Sequence, residues 1–189
     1  MSFEGNTLRL LESEGRKVVR WHSALFNTAL VRRGSVNDPA GLAKVLAKAV
    51  ESGGFKGRDV YTALEGTNTL SRVLSLPRGA SVQVPDFIAR EARRLWSVNQ
   101  EESLLYWQPV AGTKAQFFVL SVPREPLHAL EETVRLAGLR PVGADIRPLC
   151  LARALNQGRA VAVCVEGKII VIVVLVDHFP VLMQTHLLG

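Results

Sequence analysis

The chain has 189 residues, 48% of them hydrophobic and 21% charged, the balance of a folded globular protein and not of a disordered one. A net charge of +6 raises nucleic acid or an anionic surface as partners. Among the basic residues, though, only Arg90, Arg93 and Arg94 cluster in the middle of the chain, with Phe87 and Trp96 as their aromatic neighbours. That spacing reads as a solvated face ahead of a nucleic-acid groove. Cys150 and Cys164 lie in apolar sequence and read as buried, reduced thiols. Two distant cysteines and four separated histidines are too few for a metal site, and neither a metal nor a cofactor is expected. Residues 1–5 have no signal-peptide character, and the apolar run 169–176 is too short to cross a bilayer. The expectation is a cytoplasmic protein that works beside a membrane.

In chain order, residues 7–12 and 17–22 flank Glu14-Gly15 as a hairpin, and 29–33 add a third strand. Asp38 caps a helix that has Pro39 at its first position. Leu42, Val45, Leu46, Ala49 and Val50 repeat at helical spacing until Gly53-Gly54 ends it. Strands follow at 59–64 and 69–76. Pro85 opens a helix with Phe87, Ile88, Ala92, Leu95 and Trp96 on one face. A hairpin follows at 103–110 and 115–122, turning through Ala111-Gly112-Thr113-Lys114. Pro126 leads a further helix to Gly138, and 141–146 form another strand. From residue 69 the order is therefore β-α-β-β-α-β, the split arrangement of ferredoxin-like domains. A short helix at 148–155 precedes strands at 160–165, 169–176 and 179–188, the last two joined by Asp177-His178. The middle one of these is apolar throughout, which predicts cover on both of its faces.

The stretch from Ser121-Val122-Pro123-Arg124-Glu125 through Gly138-Leu139-Arg140-Pro141-Val142 to Asp145-Ile146-Arg147-Pro148 and Leu151-Ala152-Arg153-Ala154-Leu155 resembles the PilM family of type IV pilus proteins. Asn37-Asp38-Pro39, Lys56-Gly57-Arg58-Asp59-Val60, Leu74-Ser75-Leu76-Pro77 and Arg90-Glu91-Ala92 follow the same order. The resemblance covers about the first half of such a protein. It implies a mixed α/β, actin-like fold related to FtsA. Residues 1–77 would form the first lobe, 78–142 an inserted βαββαβ subdomain, 143–159 the return to the first lobe, and 160–189 the start of a second. It also implies a place at the inner membrane and a partner, the N-terminal tail of a PilN-like bitopic protein, lying between the first lobe and the insert. Phe87, Trp96 and Leu64 are the expected wall residues. The alternative reading of these aromatics is that they fill the small domain's core.

Actin-like ATPases hold phosphates on two hairpins, each with an Asp-x-Gly motif. The resemblance places the first on Ser2-Phe3-Glu4, followed by Gly5, with Arg9 where the family often has lysine. The second falls on Cys164-Val165-Glu166, followed by Gly167. Both aspartates are gone, to Ser2 and Cys164, and a glutamate stands at each glycine position. Two unit charges about 4 Å apart repel by ~4 kcal/mol at an effective dielectric near 20, enough to remove about three decades of affinity. A one-residue slip onto Gly5 and Gly167 restores glycine but leaves Phe3 and Val165 where acids belong. These turns therefore read as vestigial phosphate hairpins, and no catalytic set emerges elsewhere.

The reading favoured is a non-catalytic adaptor that binds a partner peptide and forms homo-oligomers. In an actin-like second lobe the hairpins from 160 to 188 would be covered by helices encoded farther on. Without them the apolar strand offers Ile172 and Val174 for self-association. The rivals are an actin-like ATPase whose C-terminal half completes the nucleotide site, and a basic nucleic-acid-binding module.

Overall fold

Asp38 takes the N-cap that the sequence predicts. Its carboxylate accepts from the Gly41 amide at 2.9 Å, Pro39 opens helix α1 (Pro39–Ser52), and Gly53 caps its other end. In the computed structural model the chain is described except for residues 33, 67–68, 78–82, 98, 100, 114, 168 and 189 and the side chain of Leu187. The predicted turn residue Lys114 and the end of the 29–33 strand at Arg33 lie outside the described residues.

Strands β1 (Ser2–Glu4), β2 (Thr7–Glu14) and β3 (Lys17–Leu25) form an antiparallel meander. Together with β6 (Asp59–Leu64) and β10 (Arg140–Ile146) they make a five-stranded sheet in the order β10-β6-β1-β2-β3. A short 3-10 turn (Thr28–Leu30) and the small ladder of β4 (Val31–Arg32) and β5 (Ser35–Val36) connect this meander to α1. Alternation in β2 turns Leu8 and Leu10 inward. They meet Leu42 and Leu46 of α1, and Leu130 and Val134 of α3 (Arg124–Leu136), in one core. Each fully buried aliphatic chain there contributes about 1.5–3 kcal/mol of transfer free energy.

The inserted unit has strands β7 (Leu70–Ser75), β8 (Ser103–Pro109) and β9 (Gln116–Pro123), in the order β7-β9-β8, and helix α2 (Val84–Trp96). Central strand β9 is buried from Phe117 to Val122 because both of its faces are covered. Phe117 and Val119 pack with Phe87 and Ile88 of α2, while Phe118, Leu120 and Val122 join the main core.

The fold class is mixed α/β as expected, but the closure of the insert needs correction. The sequence reading gives it six elements in βαββαβ order, whereas β10 leaves the small sheet and pairs in parallel with β6, from Arg140↔Asp59 to Ile146↔Leu64. The physical reason is twofold. Both faces of the small sheet are already covered, and Arg140 grips Asp59 through two hydrogen bonds of 2.7 and 2.6 Å at the head of the β6–β10 pair. Helix α3, just before β10, also joins the first lobe, with Leu127, Leu130 and Val134 in the core that α1 shares.

Helix α4 (Arg147–Leu155) leads to a three-stranded sheet of β11 (Arg159–Glu166), β12 (Ile169–Val176) and β13 (Phe179–Leu187), in that order. One face of β12, carrying Ile169, Val171, Val173 and Leu175, is buried with Ala152 of α4. The expected cover on the other face is absent in the described residues. Ile170, Ile172 and Val174 are half-buried, and Val161, Val163 and Val165 of β11 beside them are 69%, 60% and 60% exposed.

Candidate functional site

The turns between β1 and β2 and between β11 and β12 face each other, so the two motif positions found in the sequence meet in space. Gly5 and Gly167 both hold positive φ, +54° and +56°, the left-handed conformation that glycine adopts without strain. A Cβ at Gly167 would lie 3.3 Å from Glu4 Oε1, so the first motif's glutamate rests against the second motif's turn.

Four charged side chains fill the gap. Arg9 donates from Nη1 to Glu166 Oε1 at 2.8 Å, and its Nη2 lies 3.5 Å from Glu4 Oε2. Arg147, at the start of α4, donates to Glu166 and approaches Glu4 Oε2 at 3.5 Å. Glu4 is only 8% exposed, and its Oε1 is buried with no hydrogen-bond partner among the described residues. Burial pushes the Glu4 carboxyl above its ordinary value, and a hydrogen bond to Glu166 adds to this, against the pull of Arg147 and Arg9. For Glu166 burial works upward, but hydrogen bonds from Glu4 and Arg9 and the nearby guanidinium charges outweigh it and hold its carboxyl low. Glu65, just after β6, is likewise buried and pushed up by burial, with Arg147 opposing and Glu4 reinforcing the rise.

Beside the cluster lies a cavity of about 290 Å³, bordered by Ser2, Cys150, Cys164 and Ile169 as well as by Arg9, Arg147 and Glu166. Ser2, Glu4, Gly5, Cys164, Glu166 and Gly167 are thus brought to one cleft. Arg147 and Glu65 complete it without having been singled out from the sequence.

The residues expected to wall a partner groove are dispersed. Phe87 is 4% exposed within the α2–β9 core, with Trp96 packed against the same cluster, whereas Leu64 is 6% exposed in the main core. The core-filling alternative describes where Phe87 sits. Leu64 also borders a small crevice between β6 and the β9–α3 junction, formed with Ser35, Glu65, Thr69, Val122 and Pro126. On α2, Glu91 pairs with Arg94 at 2.6 Å and Arg90 lies over the Phe87 ring, so the basic group is engaged locally.

No family model matches the chain, and no curated protein matches its sequence. Solved structures do match. A chain of the PilM–PilN type IV pilus biogenesis complex superposes on all of this chain with a TM-score of 0.81 at 21% identity. The chain has the PilM-like actin fold. The cytoplasmic domain of EpsL, an inner membrane component of the type II secretion system of Vibrio cholerae, shares the PilM-like arrangement over 99% of the chain (TM-score 0.69, 14% identity). The ethanolamine utilization protein EutJ from Carboxydothermus hydrogenoformans matches over 100% (TM-score 0.59, 17% identity). The chain spans 60%, 68% and 50% of these three chains, respectively.

The actin-like fold family implies a nucleotide, whose phosphates would lie between the two hairpins. The residues present do not fit it. Two carboxyls occupy the approach, one of them pressed on the Gly167 turn, and the two guanidiniums are already engaged by them. No helix among the described residues is long and apolar enough to cross a membrane.

Proposed function

We propose that the chain is a non-catalytic adaptor of a type IV pilus or related secretion platform. It binds the N-terminal tail of a PilN-like bitopic protein and sits at the cytoplasmic side of the inner membrane. The observation that carries this reading is the likeness of the whole chain to the PilM–PilN complex, at a TM-score of 0.81. The likeness to EpsL, from a second inner-membrane machine, supports the same class of role. In this proposal the chain also self-associates through the open face of β11–β13, centred on Ile172 and Val174.

The charged cluster argues against a nucleotide-binding role, because carboxyls occupy the approach to both turns. Calorimetry with ATP and magnesium is expected to give no binding at physiological concentrations, and a micromolar site would overturn the pseudo-ATPase part of the proposal. Glu4→Gly with Glu166→Gly should permit weak binding at most. Hydrolysis should stay absent, because neither motif regains the aspartate that organises metal and water.

In this proposal the partner tail lies over the surface beside Leu64, where the first lobe meets the insert, and the small crevice there takes at most one of its side chains. Titration of a PilN-like N-terminal peptide is the test. Ser35→Trp, which fills the crevice from β5, should weaken binding by about tenfold or more, or ~1.4 kcal/mol. Trp96→Ala, on the far side of the small core, should change it by less than about twofold. Equal affinities for wild type and Ser35→Trp would remove the crevice from the site.

A further inference from the structure

Strand β2 turns Leu8 and Leu10 toward α1 and α3, yet its other face carries an apolar side chain as well. Leu11 and Trp21 stand opposite each other in the β2–β3 ladder and are 59% and 74% exposed. Beyond them the register shifts between Glu12 and Ser13, a bulge that leaves Val18 and Val19 both exposed. Four large apolar side chains gathered at one end of a hairpin form a patch, unlike apolar residues exposed singly.

The charges around this patch are mostly of one sign. Arg16 and Lys17 lie at the hairpin tip, and Lys56 and Arg58 in the loop before β6. All four are exposed, and none makes an ion pair among the described residues. Arg58 donates to the Gly138 carbonyl at 3.2 Å, which leaves its charge unmatched. The loop lies against the hairpin, since a Cβ on Gly57 would come 3.6 Å from Glu12 Oε1, and one on Gly54 3.5 Å from Arg20 Nη1. Of the acids at this end, Glu12 pairs with Arg20 and Asp59 with Arg140. Glu14, across the ladder from Lys17, is the counter-charge left over. Glu51 belongs to α1, on the other face.

We propose that this patch and its basic rim dock the chain onto a bilayer rich in anionic phospholipid. Trp21 seats its indole at headgroup level beside Leu11, Val18 and Val19, while Arg16, Lys17, Lys56 and Arg58 meet the phosphates. Three of the four apolar chains are aliphatic, which suits lipid better than nucleic acid, whose bases stack on aromatic faces. This docking rests on the proposed place at the inner membrane for the source of its lipid. The peptide titration described above uses no lipid, so either reading can fail alone.

Flotation of the full chain with vesicles of phosphatidylcholine and about one-third phosphatidylglycerol is the test. Wild type should bind these vesicles, should not bind pure phosphatidylcholine, and should be released by salt. Trp21→Ser should weaken binding by about tenfold or more with far-ultraviolet circular dichroism unchanged. Arg16→Glu with Lys17→Glu should do the same. Arg90→Glu with Arg93→Glu, an equal change of net charge on α2, should alter binding by less than about threefold. In a Trp96→Phe, Trp107→Phe background, Trp21 emission should shift to the blue on binding and be quenched by brominated acyl chains. Equal binding by wild type and Trp21→Ser, or equal losses in the two charge-reversed proteins, would overturn the docking. So would a Trp21→Ser change that lowers only the oligomeric state, or only affinity for single-stranded RNA.

Discussion

Arg147→Met is expected to lower folding stability by about 3–5 kcal/mol, because breaking a buried ion pair leaves its partner charged and unmatched. Arg147 is 14% exposed and reaches both Glu4 and Glu166, so its loss leaves Arg9 alone to balance them. The informative comparison is with Arg147→Met combined with Glu4→Leu. That pair of changes removes one charge of each sign and keeps the 2.8 Å Arg9–Glu166 bridge. It should recover most of the lost stability, since apolar replacements of a buried pair are often neutral. Chemical denaturation of the three proteins measures this directly, and equal losses for the single and double variants would show that Arg147 acts through packing alone. The pH dependence has a definite sign. Glu4 and Glu65 have raised values, so their contribution is complete below the ordinary glutamate range and is lost as pH climbs through those values. Glu166 is lowered, so its contribution holds above that range and is lost as pH falls through its value. Glu65→Gln should accordingly gain stability on wild type at neutral pH and not at pH 4.

Light scattering at micromolar concentrations is expected to show a dimer or larger species. The open face of the β11–β13 sheet sets Val161, Val163 and Val165 beside Ile170, Ile172, Val174 and Leu182. Covering such side chains contributes about 25 cal/mol per Å² of apolar surface. Both β11 and β13 are edge strands, and an unpaired edge with an apolar face invites another strand or sheet. A two-fold pairing of this face with its own copy is the simplest closed arrangement. Val163→Lys and Ile172→Lys each place a charge at the centre of that contact and should give monomers with strand content intact. A wild-type protein that is monomeric at every concentration would rule the interface out.

Local signals in the sequence located helix α1, whose cap, proline and terminal glycines all act within a few residues of one another. The family resemblance, not a local signal, located both hairpin turns of the cleft, at Glu4-Gly5 and Glu166-Gly167. Period and punctuation identify 140–146 as a strand but say nothing of its neighbour. The parallel partner lies 81 residues away at Asp59, and only the Arg140–Asp59 pair distinguishes it from the small sheet. Phe87 shows a second limit, since an aromatic at helical spacing looks the same whether it anchors a ligand or fills a core. Arg147 lies in a stretch that carries the family resemblance, but nothing in that stretch marks it as a cleft residue. A single arginine before a proline becomes part of the cleft only once α4 is placed against two hairpins far from each other in sequence.

The parallel pairing of β6 with β10 also sets the order in which the molecule can fold. The hairpins β2–β3, β8–β9 and β11–β12–β13 close over short turns, whereas the outer strand of the large sheet must wait for a loop of some eighty residues to close, with the loop-closure entropy that this entails. During synthesis, strands β1, β2, β3 and β6 leave the ribosome with one edge of their sheet bare until residues 140–146 follow. The inserted unit, encoded between β6 and β10, emerges during that interval. Its folding draws the two ends of the loop together, so a variant that slows the insert should expose the growing sheet edge of the nascent chain for longer.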